Sequence, residues 1–393
     1  MEDIVILEGA RTPMAEYNGA FADVSAIDLG VHAARHAMSR SGVEPGEIDH
    51  VIFGNALQTS GDAIYGARHV GLKAGVPKEI PALTVNRLCG SGFEAIVQGA
   101  HRILLGEAQT VLAGGMENMS QSPHVIRGAR KGLRLGQGQL EDSLMVALLD
   151  SYCGLYMAQT SDRVAAKYGI TRQEQDEYAL SSQLRAAAAW QSCRLSEEVA
   201  PIEVRQGRRS VRVAKDDHMH PDTTLEALAA LAPSFGEGGM VTAGNASGIV
   251  DGAGAVVVTS ASRAREKGRT PLARLVAWAA VGCEPELMGL GPAPAARAAL
   301  KRAGLAKKDI ALWEINEAFA GQILGVVREL DLDSEILNVN GGAIALGHPL
   351  AATGTRCTLT LAKELKRRGG GYGLAGACIG GGQGIAVVIE AMG

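Results

Sequence analysis

Apolar residues in the first third of the chain alternate between short continuous runs and stretches with helical spacing. From Ile27 to Arg40 they recur on one helix face, and Gly42 predicts the end of that helix. Short apolar runs predict strands at 4–7, 50–57 and 110–113. Strands alternating with helices are typical of a mostly parallel sheet buried between helices, so we expect an α/β fold.

The pattern changes after Asn118 and later resumes, which suggests an insertion between two related halves. The more polar middle of the chain lacks the alternation, although Thr171 and Glu174 form a capping box that predicts a helix continuing to Trp190. A second round of strands and helices follows, and each half places a reactive residue before a long helix and ends a strand in glycines.

At 393 residues the chain exceeds one ordinary core, so two or three domains or a large insertion are expected. We divide it into an N-terminal half (1–119 plus 246–270), an inserted loop domain (120–245) and a C-terminal half (271–393).

One strand-to-helix junction carries a thiol. A β-rich run over 82–88 ends at Cys89, and glycines at 90 and 92 precede a helical pattern over 93–105. The positive end of a helix dipole favours thiolate, and the glycines allow close approach of a substrate. A buried core cysteine is the alternative, and on cysteine statistics alone it is the commoner one.

Composition excludes several classes of function. The net charge of −4 gives no basic field for nucleic acid, and no apolar run reaches the ~18 residues of a membrane span. The N-terminus has no basic region of a signal peptide, and six cysteines lie far apart without a Cys-x-x-Cys pair. We therefore expect a cytoplasmic protein without disulfides.

Three further sites join Cys89 at predicted strand ends, where the active sites of parallel α/β sheets form. They are the segment that begins at Asn316, His348 between Gly347 and Pro349, and Cys378 with its glycines. A fixed histidine can act as a base towards a thiol. A single histidine at such a position is usually an ordinary turn residue, but the two cysteines at similar positions favour a catalytic role for His348.

Five motifs resemble those of the thiolases, a family that includes acetyl-CoA acetyltransferases and 3-ketoacyl-CoA thiolases. They are NRLCGSG at 86–92, GNASG at 244–248, NEAF at 316–319, NGGAIALGHP at 340–349 and CIGGG at 378–382. The resemblance spans essentially the whole chain, in order. It implies a thiolase-like fold of two duplicated α/β halves, layered α-β-α-β-α, with an inserted CoA-binding loop domain.

The resemblance also implies roles for the reactive residues. Cys89 is the expected nucleophile, His348 takes its proton, and Asn316 positions a water that helps bind the thioester oxygen. Cys378 is the expected second acid/base, and the backbone N–H groups of Cys89 and Gly380 form the other oxyanion hole.

Coenzyme A and acyl-CoA are the expected substrates, with no further cofactor and no metal. The resemblance implies CoA or acyl contacts from Leu148, Met157, His220, Phe235, Ala243, Gly244, Ser247, Ala318 and Phe319. It also implies a homotetramer assembled through the loop at 125–140. For Met157 and Phe319 alone, plain core packing is the alternative.

Some positions depart from the family pattern. His220 stands where an arginine commonly faces the CoA nucleotide, and Tyr156 stands where short-chain members often have histidine. Ala351 and Thr353 replace the more frequent glycine and serine, and the extra methyl of Ala351 could force different φ/ψ.

The reaction expected first is the reversible condensation of two acetyl-CoA to acetoacetyl-CoA and CoA through an acyl-Cys89 intermediate. The alternative is a medium- or long-chain 3-ketoacyl-CoA thiolase. A decarboxylating ketoacyl synthase is disfavoured by Cys378, and an inactive acyl-CoA-binding relative would be expected to lose a reactive residue. His32 and His36 lie one helical turn apart, but no third metal ligand is near in sequence.

Overall fold

The computed structural model describes residues 2–236 and 238–391. Its strands are β1 (Ile4–Arg11), β2 (Ala15–Glu16), β3 (His50–Gly54), β4 (Ala82–Val85), β5 (Thr110–Glu117), β6 (His124–Val125), β7 (Glu141–Asp142), β8 (Leu149–Asp150), β9 (Leu155–Tyr156), β10 (Ile202–Gln206), β11 (Arg209–Val213), β12 (Val250–Ser260), β13 (Ala273–Gly282), β14 (Ile310–Ile315), β15 (Gly371–Ile379) and β16 (Gln383–Ala391). Its α-helices are α1 (Ala26–Ser41), α2 (Gly66–Ala74), α3 (Ser91–Leu104), α4 (Ser143–Ala147), α5 (Met157–Tyr168), α6 (Arg172–Gln191), α7 (Leu225–Ala229), α8 (Ala261–Glu266), α9 (Pro292–Ala303), α10 (Ala320–Leu330), α11 (Ala343–Leu346) and α12 (Leu350–Arg367).

The long strands form one mixed sheet in the order β14-β15-β16-β13-β1-β12-β5-β3-β4. The pairs β3·β4, β3·β5 and β14·β15 are parallel, whereas the other neighbours along this path are antiparallel. The expectation of a mostly parallel sheet is therefore wrong. The helical periodicity predicted the helices between strands, but it gave no information on strand direction. A tight turn at Gly381 and Gly382, both with φ near +80°, joins β15 to β16 as an antiparallel hairpin.

Strand side chains alternate between a central core and two outer ones. In β1, Ile4 and Ile6 belong to the central cluster, which contains α3, α12 and strands of both halves. Val5 and Leu7 point to the opposite face, into a cluster with α1 and α2. A third cluster packs α9 and α10 against the C-terminal half. This arrangement confirms the layered α-β-α-β-α fold.

The middle of the chain packs onto this frame. The capping box predicted at Thr171 and Glu174 is present, and it begins α6. The buried guanidinium of Arg11 at the end of β1 pairs with Glu198 at 2.6 Å and Asp216 at 2.6 Å, which fixes two insertion segments to the sheet. After the insertion, β12 returns between β1 and β5. The domain boundaries themselves stay a prediction.

The six cysteines are free thiols in the structure. Among the helices in the described part of the chain, none has the length and apolar character needed to cross a membrane.

The two central helices approach each other through glycines. A Cβ atom on Gly92 of α3 would lie 2.6 Å from the carbonyl oxygen of Ala351 and 2.7 Å from the nitrogen of Thr355, both in α12. A Cβ atom on Gly354 of α12 would lie 2.2 Å from the nitrogen of Phe93. Because the obstructing atoms are backbone, no side-chain rotation can relieve these contacts.

We expect Gly92→Ala to destabilise the protein by about 1–3 kcal/mol or more, because the added methyl must separate the helices. The free energy of unfolding in urea measures the effect. Gly46→Ala is the matched control, since a Cβ atom there meets nothing within 4 Å. An unfolding midpoint of Gly92→Ala equal to that of the wild type would contradict the close crossing.

Candidate active site

Cys89 lies in a strained turn between β4 and α3. The residue before it, Leu88, has φ of +46°, a left-handed conformation that is costly for a leucine. Asn86 stabilises the turn, because its Oδ1 accepts the N–H of Leu88 at 2.9 Å, and Ser91 Oγ donates to the Leu88 carbonyl at 2.7 Å. The thiol thus sits just before the helix and not in its first turn.

Burial controls the charge of Cys89. It raises the pKa of the thiol to about 11, and the nearby carboxylate of Glu117 adds to the rise. The backbone N–H groups of Gly380 and of Cys89 itself favour the thiolate, but they do not outweigh the lost solvation. The stabilisation of the thiolate that the helix dipole predicts is therefore smaller than the effect of burial. At neutral pH the group is a thiol, which needs a base before it can attack.

His348 has the properties of such a base. Gly347, with φ of +88°, ends α11 before it, and Pro349 caps α12 after it. Burial and, to a smaller extent, the positive charge of Arg356 lower the pKa of His348 to about 3. The ring is consequently neutral at physiological pH and has one free lone pair.

The hydrogen bonds of His348 define which nitrogen holds that lone pair. The Thr353 hydroxyl lies 3.1 Å from the Pro349 carbonyl, to which it donates, and 2.6 Å from His348 Nδ1. Because the hydroxyl proton is already used, Nδ1 carries a hydrogen and donates to Thr353. Nε2 is then the acceptor, and it lies 3.4 Å from Asn316 Nδ2, which can donate to it.

Asn316 presents its other amide atom without a protein partner. Its side chain is fully buried after β14, and within the described residues Oδ1 makes no hydrogen bond. A buried acceptor of this kind is suited to a water or a substrate group that carries a hydrogen. The pairing of Asn316 with His348 predicted from the sequence is present as a contact.

Cys378 lies near the end of β15, opposite Gly384 of β16. Burial raises its pKa well above the usual range, and the neighbouring thiols of Cys89 and Cys283 raise it further. It packs against Met288 and Ala318, with Met157 and Phe319 at the edge of the same cluster. A thiol of low acidity in an apolar setting can return a proton readily once it has been ionised.

These groups meet in one cavity of about 400 Å³. Of the residues predicted for the site, its wall contains Cys89, Leu148, Met157, Phe235, Ala243, Ser247, Ala318, Phe319, His348 and Cys378. Asn316 and Gly380 do not line the cavity themselves. The side chain of Asn316 contacts His348, and the backbone N–H of Gly380 hydrogen-bonds to Cys89.

Two predicted contacts lie elsewhere. Gly244 and His220 line a second cavity of about 270 Å³, together with His218 and Thr223. Ala243 lines both cavities, so they adjoin.

Main-chain contacts hold the wall of the large cavity. Ser247 donates its N–H to the Ala318 carbonyl at 3.0 Å, and Ala246 forms a bridge with Phe319 at the start of α10. The N–H of Met157, the first residue of α5, donates to Leu148 at 3.0 Å. The insertion, the returning segment of the N-terminal half and the C-terminal half therefore build this wall together.

Ala351 does not disturb the turn as its extra methyl suggested. It lies in the first turn of α12, where alanine is favourable, and it has no positive φ. Its N–H donates to Glu117 Oε2 at 3.0 Å.

The sequence analysis missed two buried carboxylates that hold the site. Glu117 accepts N–H groups of Ala56, Leu57 and Ala351, and burial raises its pKa to about 7. Glu317 accepts hydrogen bonds from four donors on three segments, namely Tyr178 and Ser182 of α6, Asn338 and Ile344. The available signals were the position of Glu117 at the end of a strand and the place of Glu317 in the NEAF motif at 316–319. Neither signal distinguishes a carboxylate that supports the site from one that reacts.

Comparison with known proteins identifies the class. Residues 4–262 match the family described as "Thiolase, N-terminal domain", and residues 269–391 match "Thiolase, C-terminal domain". The chain is 52% identical over 391 residues to the human mitochondrial 3-ketoacyl-CoA thiolase, with 99% of this chain and 98% of that protein covered. It is 44% identical to the acetyl-CoA acetyltransferase of Cupriavidus necator, with 99% and 100% covered.

Solved structures agree. The human mitochondrial 3-ketoacyl-CoA thiolase in complex with CoA superposes with a TM-score of 0.97 at 52% identity, covering 100% of this chain and 98% of that one. The Bacillus anthracis acetyl-CoA acetyltransferase gives 0.98 at 43% identity, with 100% and 99% covered. The protein is an acyltransferase with the thiolase fold. It belongs to the thiolase family.

Thr353→Val should lower kcat for acetoacetyl-CoA cleavage about tenfold or more with little change in KM, because the imidazole loses the acceptor that fixes its tautomer. Steady-state kinetics measure this effect. Thr353→Ser keeps the hydroxyl and should restore most of the rate. Wild-type kcat in Thr353→Val would refute the role of this hydrogen bond.

Because the pKa of His348 is about 3, the wild type should lose no activity through imidazole protonation between pH 8 and 6.

Proposed function

We propose that Cys89 is the nucleophile of a reversible thiolase reaction. His348 Nε2 accepts the thiol proton, the sulfur attacks the thioester carbonyl of an acyl-CoA, and the tetrahedral adduct expels CoA and leaves acyl-Cys89. The CoA sulfur leaves with the proton that His348 received, so the acyl group exchanges one thioester for another. The observation that carries this proposal is that His348, whose Nδ1 lies 2.6 Å from the Thr353 hydroxyl, lines the same cavity as Cys89.

Two sets of donors would stabilise the oxygen anions formed on the way. The backbone N–H groups of Cys89 and Gly380 point towards the Cys89 sulfur, close to where an acyl oxygen on that sulfur would lie. Asn316 and His348 form the second set, since Asn316 can hold a water beside the protonated Nε2.

Cys378 would perform the carbon chemistry. In condensation the Cys378 thiol first gives its proton to solvent, and the resulting thiolate removes the Cα proton of acetyl-CoA. The carbanion attacks the carbonyl of acyl-Cys89, so that the carbon–carbon bond forms as the bond to the Cys89 sulfur breaks, and that sulfur takes up a proton from solvent. In cleavage the same thiol protonates the acetyl-CoA enolate that leaves. The position of Cys378 in the cavity and the influence of the Cys89 charge on its pKa support this assignment.

CoA is a substrate in this scheme, and acyl transfer requires no other cofactor. Leu148, Phe235, Ala243 and Ser247 would contact the pantetheine arm along the wall of the large cavity. Gly244 and His220 would face the nucleotide end, because the second cavity adjoins the first at Ala243.

The acyl chain length has two candidates. Acetoacetyl-CoA is the first and follows from the sequence analysis. The structure favours acceptance of longer 3-ketoacyl-CoA substrates, because Cys89 packs at the edge of an apolar cluster of Met119, Leu144 and Leu350. Met119 and Leu350 also line the cavity, and Tyr156 stands there with its ring 5.5 Å from that of Phe235. The higher identity to the protein named 3-ketoacyl-CoA thiolase supports the same choice.

We expect CoA-dependent cleavage of 3-ketooctanoyl-CoA with a kcat/KM at least equal to that for acetoacetyl-CoA, because the apolar wall gains contacts with a hexanoyl group. Initial rates with both substrates measure the ratio. A preference of more than tenfold for acetoacetyl-CoA would instead favour an acetyl-CoA acetyltransferase.

Two variants control this experiment. Cys89→Ser should cleave neither substrate, and rates equal to those of the wild type would refute the acyl-Cys89 intermediate. Cys378→Ala should still take an acetyl group from acetyl-CoA onto Cys89, detectable by mass spectrometry, yet form no acetoacetyl-CoA.

We also propose a homotetramer assembled through the loop at 125–140. This loop exposes Ile126, Leu133, Leu135 and Leu140, a density of apolar side chains that is typical of an interface. The cytoplasmic location stays a prediction, since the human relative carries a mitochondrial name.

Replacing Leu133 and Leu135 together by aspartate should reduce the molar mass in sedimentation equilibrium from a tetramer to a smaller species. Leu105→Asp changes an equally exposed leucine outside the loop and should not alter the mass. A tetramer that survives the double substitution would show that the loop does not hold the assembly.

A further inference from the structure

Two histidines and a carboxylate meet where the two cavities adjoin. Glu16 lines the large cavity, whereas His218 and His220 line the smaller one. One potential ligand atom from each of the three lies within 4.8 Å of the other two. Within residues 2–236 and 238–391, this is the one group of three histidine, cysteine or acidic side chains with such spacing.

The orientation of His218 leaves its Nδ1 available for a ligand. Its Nε2 packs against the backbone of Gly248, since a Cβ atom added to Gly248 would lie 2.3 Å from that nitrogen. Its Nδ1 faces Glu16 Oε1 at 2.9 Å. The ring of His220 stands with its centroid 5.8 Å from that of His218, so the second imidazole borders the same point.

Backbone contacts hold the segments that carry these side chains. The N–H of Glu16 donates to Asp217 Oδ1 at 2.7 Å, and β2 pairs with β12 at Glu16 and Val250. The N–H of His220 donates to Gln183 Oε1 at 2.9 Å, which fixes the other end. These backbone contacts hold the three side chains close together in the absence of a ligand. The side chain of Asp217 places a further carboxylate beside them.

The donor set suits a zinc-class ion. Two histidines and one glutamate are a common three-ligand set for Zn²⁺, with bonds of about 2.0–2.2 Å and a fourth position for water or an anion. With such bonds, two ligands of a tetrahedral ion stand about 3.4 Å apart. Because the three ligand atoms lie within 4.8 Å of one another, rotation of the exposed His220 side chain would bring them to that spacing.

We propose that Glu16, His218 and His220 bind one divalent transition-metal ion of the zinc class at the junction of the two cavities. The sequence analysis predicted no metal site, because more than 200 residues separate Glu16 from the histidines. The ion takes no part in the acyl-transfer steps above, and its fourth ligand is water or an anionic group.

Isothermal titration of the full chain with Zn²⁺ tests this site directly. We expect one ion per chain, and a fall in affinity of about tenfold or more in both Glu16→Gln and His220→Ala, because each removes one ligand. His124→Ala is the matched control, since it removes an exposed histidine outside the cluster and should bind like the wild type.

Titration with Co²⁺ separates this site from binding by the free thiols. Nitrogen and oxygen ligands give only weak visible bands, whereas thiolate ligands add intense sulfur-to-cobalt charge transfer. Weak bands that disappear in His220→Ala support the proposal. Intense charge transfer at one equivalent, no binding by the wild type, or wild-type affinity in His220→Ala would overturn it and leave the contact of Glu16 with His218 as a hydrogen bond only.

Discussion

The close crossing of α3 and α12 is the constraint on which the site depends. Cys89 precedes the first residue of α3, and His348 precedes the capping proline of α12, so the two groups meet only where the helix N-termini converge. Gly92 and Gly354 permit backbone contact at that point, and a Cβ atom on Gly115 would lie 1.8 Å from the Ala351 carbonyl. The distance between nucleophile and base is thereby set by main-chain packing, which is less deformable than side-chain packing.

Burial then gives each reactive group its resting state. Cys89 and Cys378 are protonated and His348 is neutral, because the water-poor cavity disfavours every charged form. In the proposed reaction, charge would first separate when the thiol proton moves to the imidazole, and the backbone N–H groups of Cys89 and Gly380 already lie beside the sulfur.

Buried polar clusters connect the insertion to the reactive centre. Arg11 pairs with Glu198 and Asp216, and removing one partner of a buried pair costs about 3–5 kcal/mol because the other charge stays uncompensated. Glu317 performs a similar task between α6 and α11. These polar contacts hold the inserted segment against the frame, and the segment presents Met157 and Phe235 at the cavity wall.

The sequence by itself indicated many of the helices and strands, because periodicity and the capping box at Thr171 are local signals. The layered fold and the candidate reactive residues Cys89, His348 and Cys378 followed from motifs that resemble those of the thiolases. Only the tertiary structure decided the mixed strand directions, the protonated state of Cys89 and the supporting role of Glu117. Strand direction depends on pairing partners far apart in the chain, and a pKa depends on how much solvent the whole fold removes. The contact between Glu16 and His218 was likewise unpredictable from the sequence, because the two residues are far apart in the chain and only the folded structure brings them together.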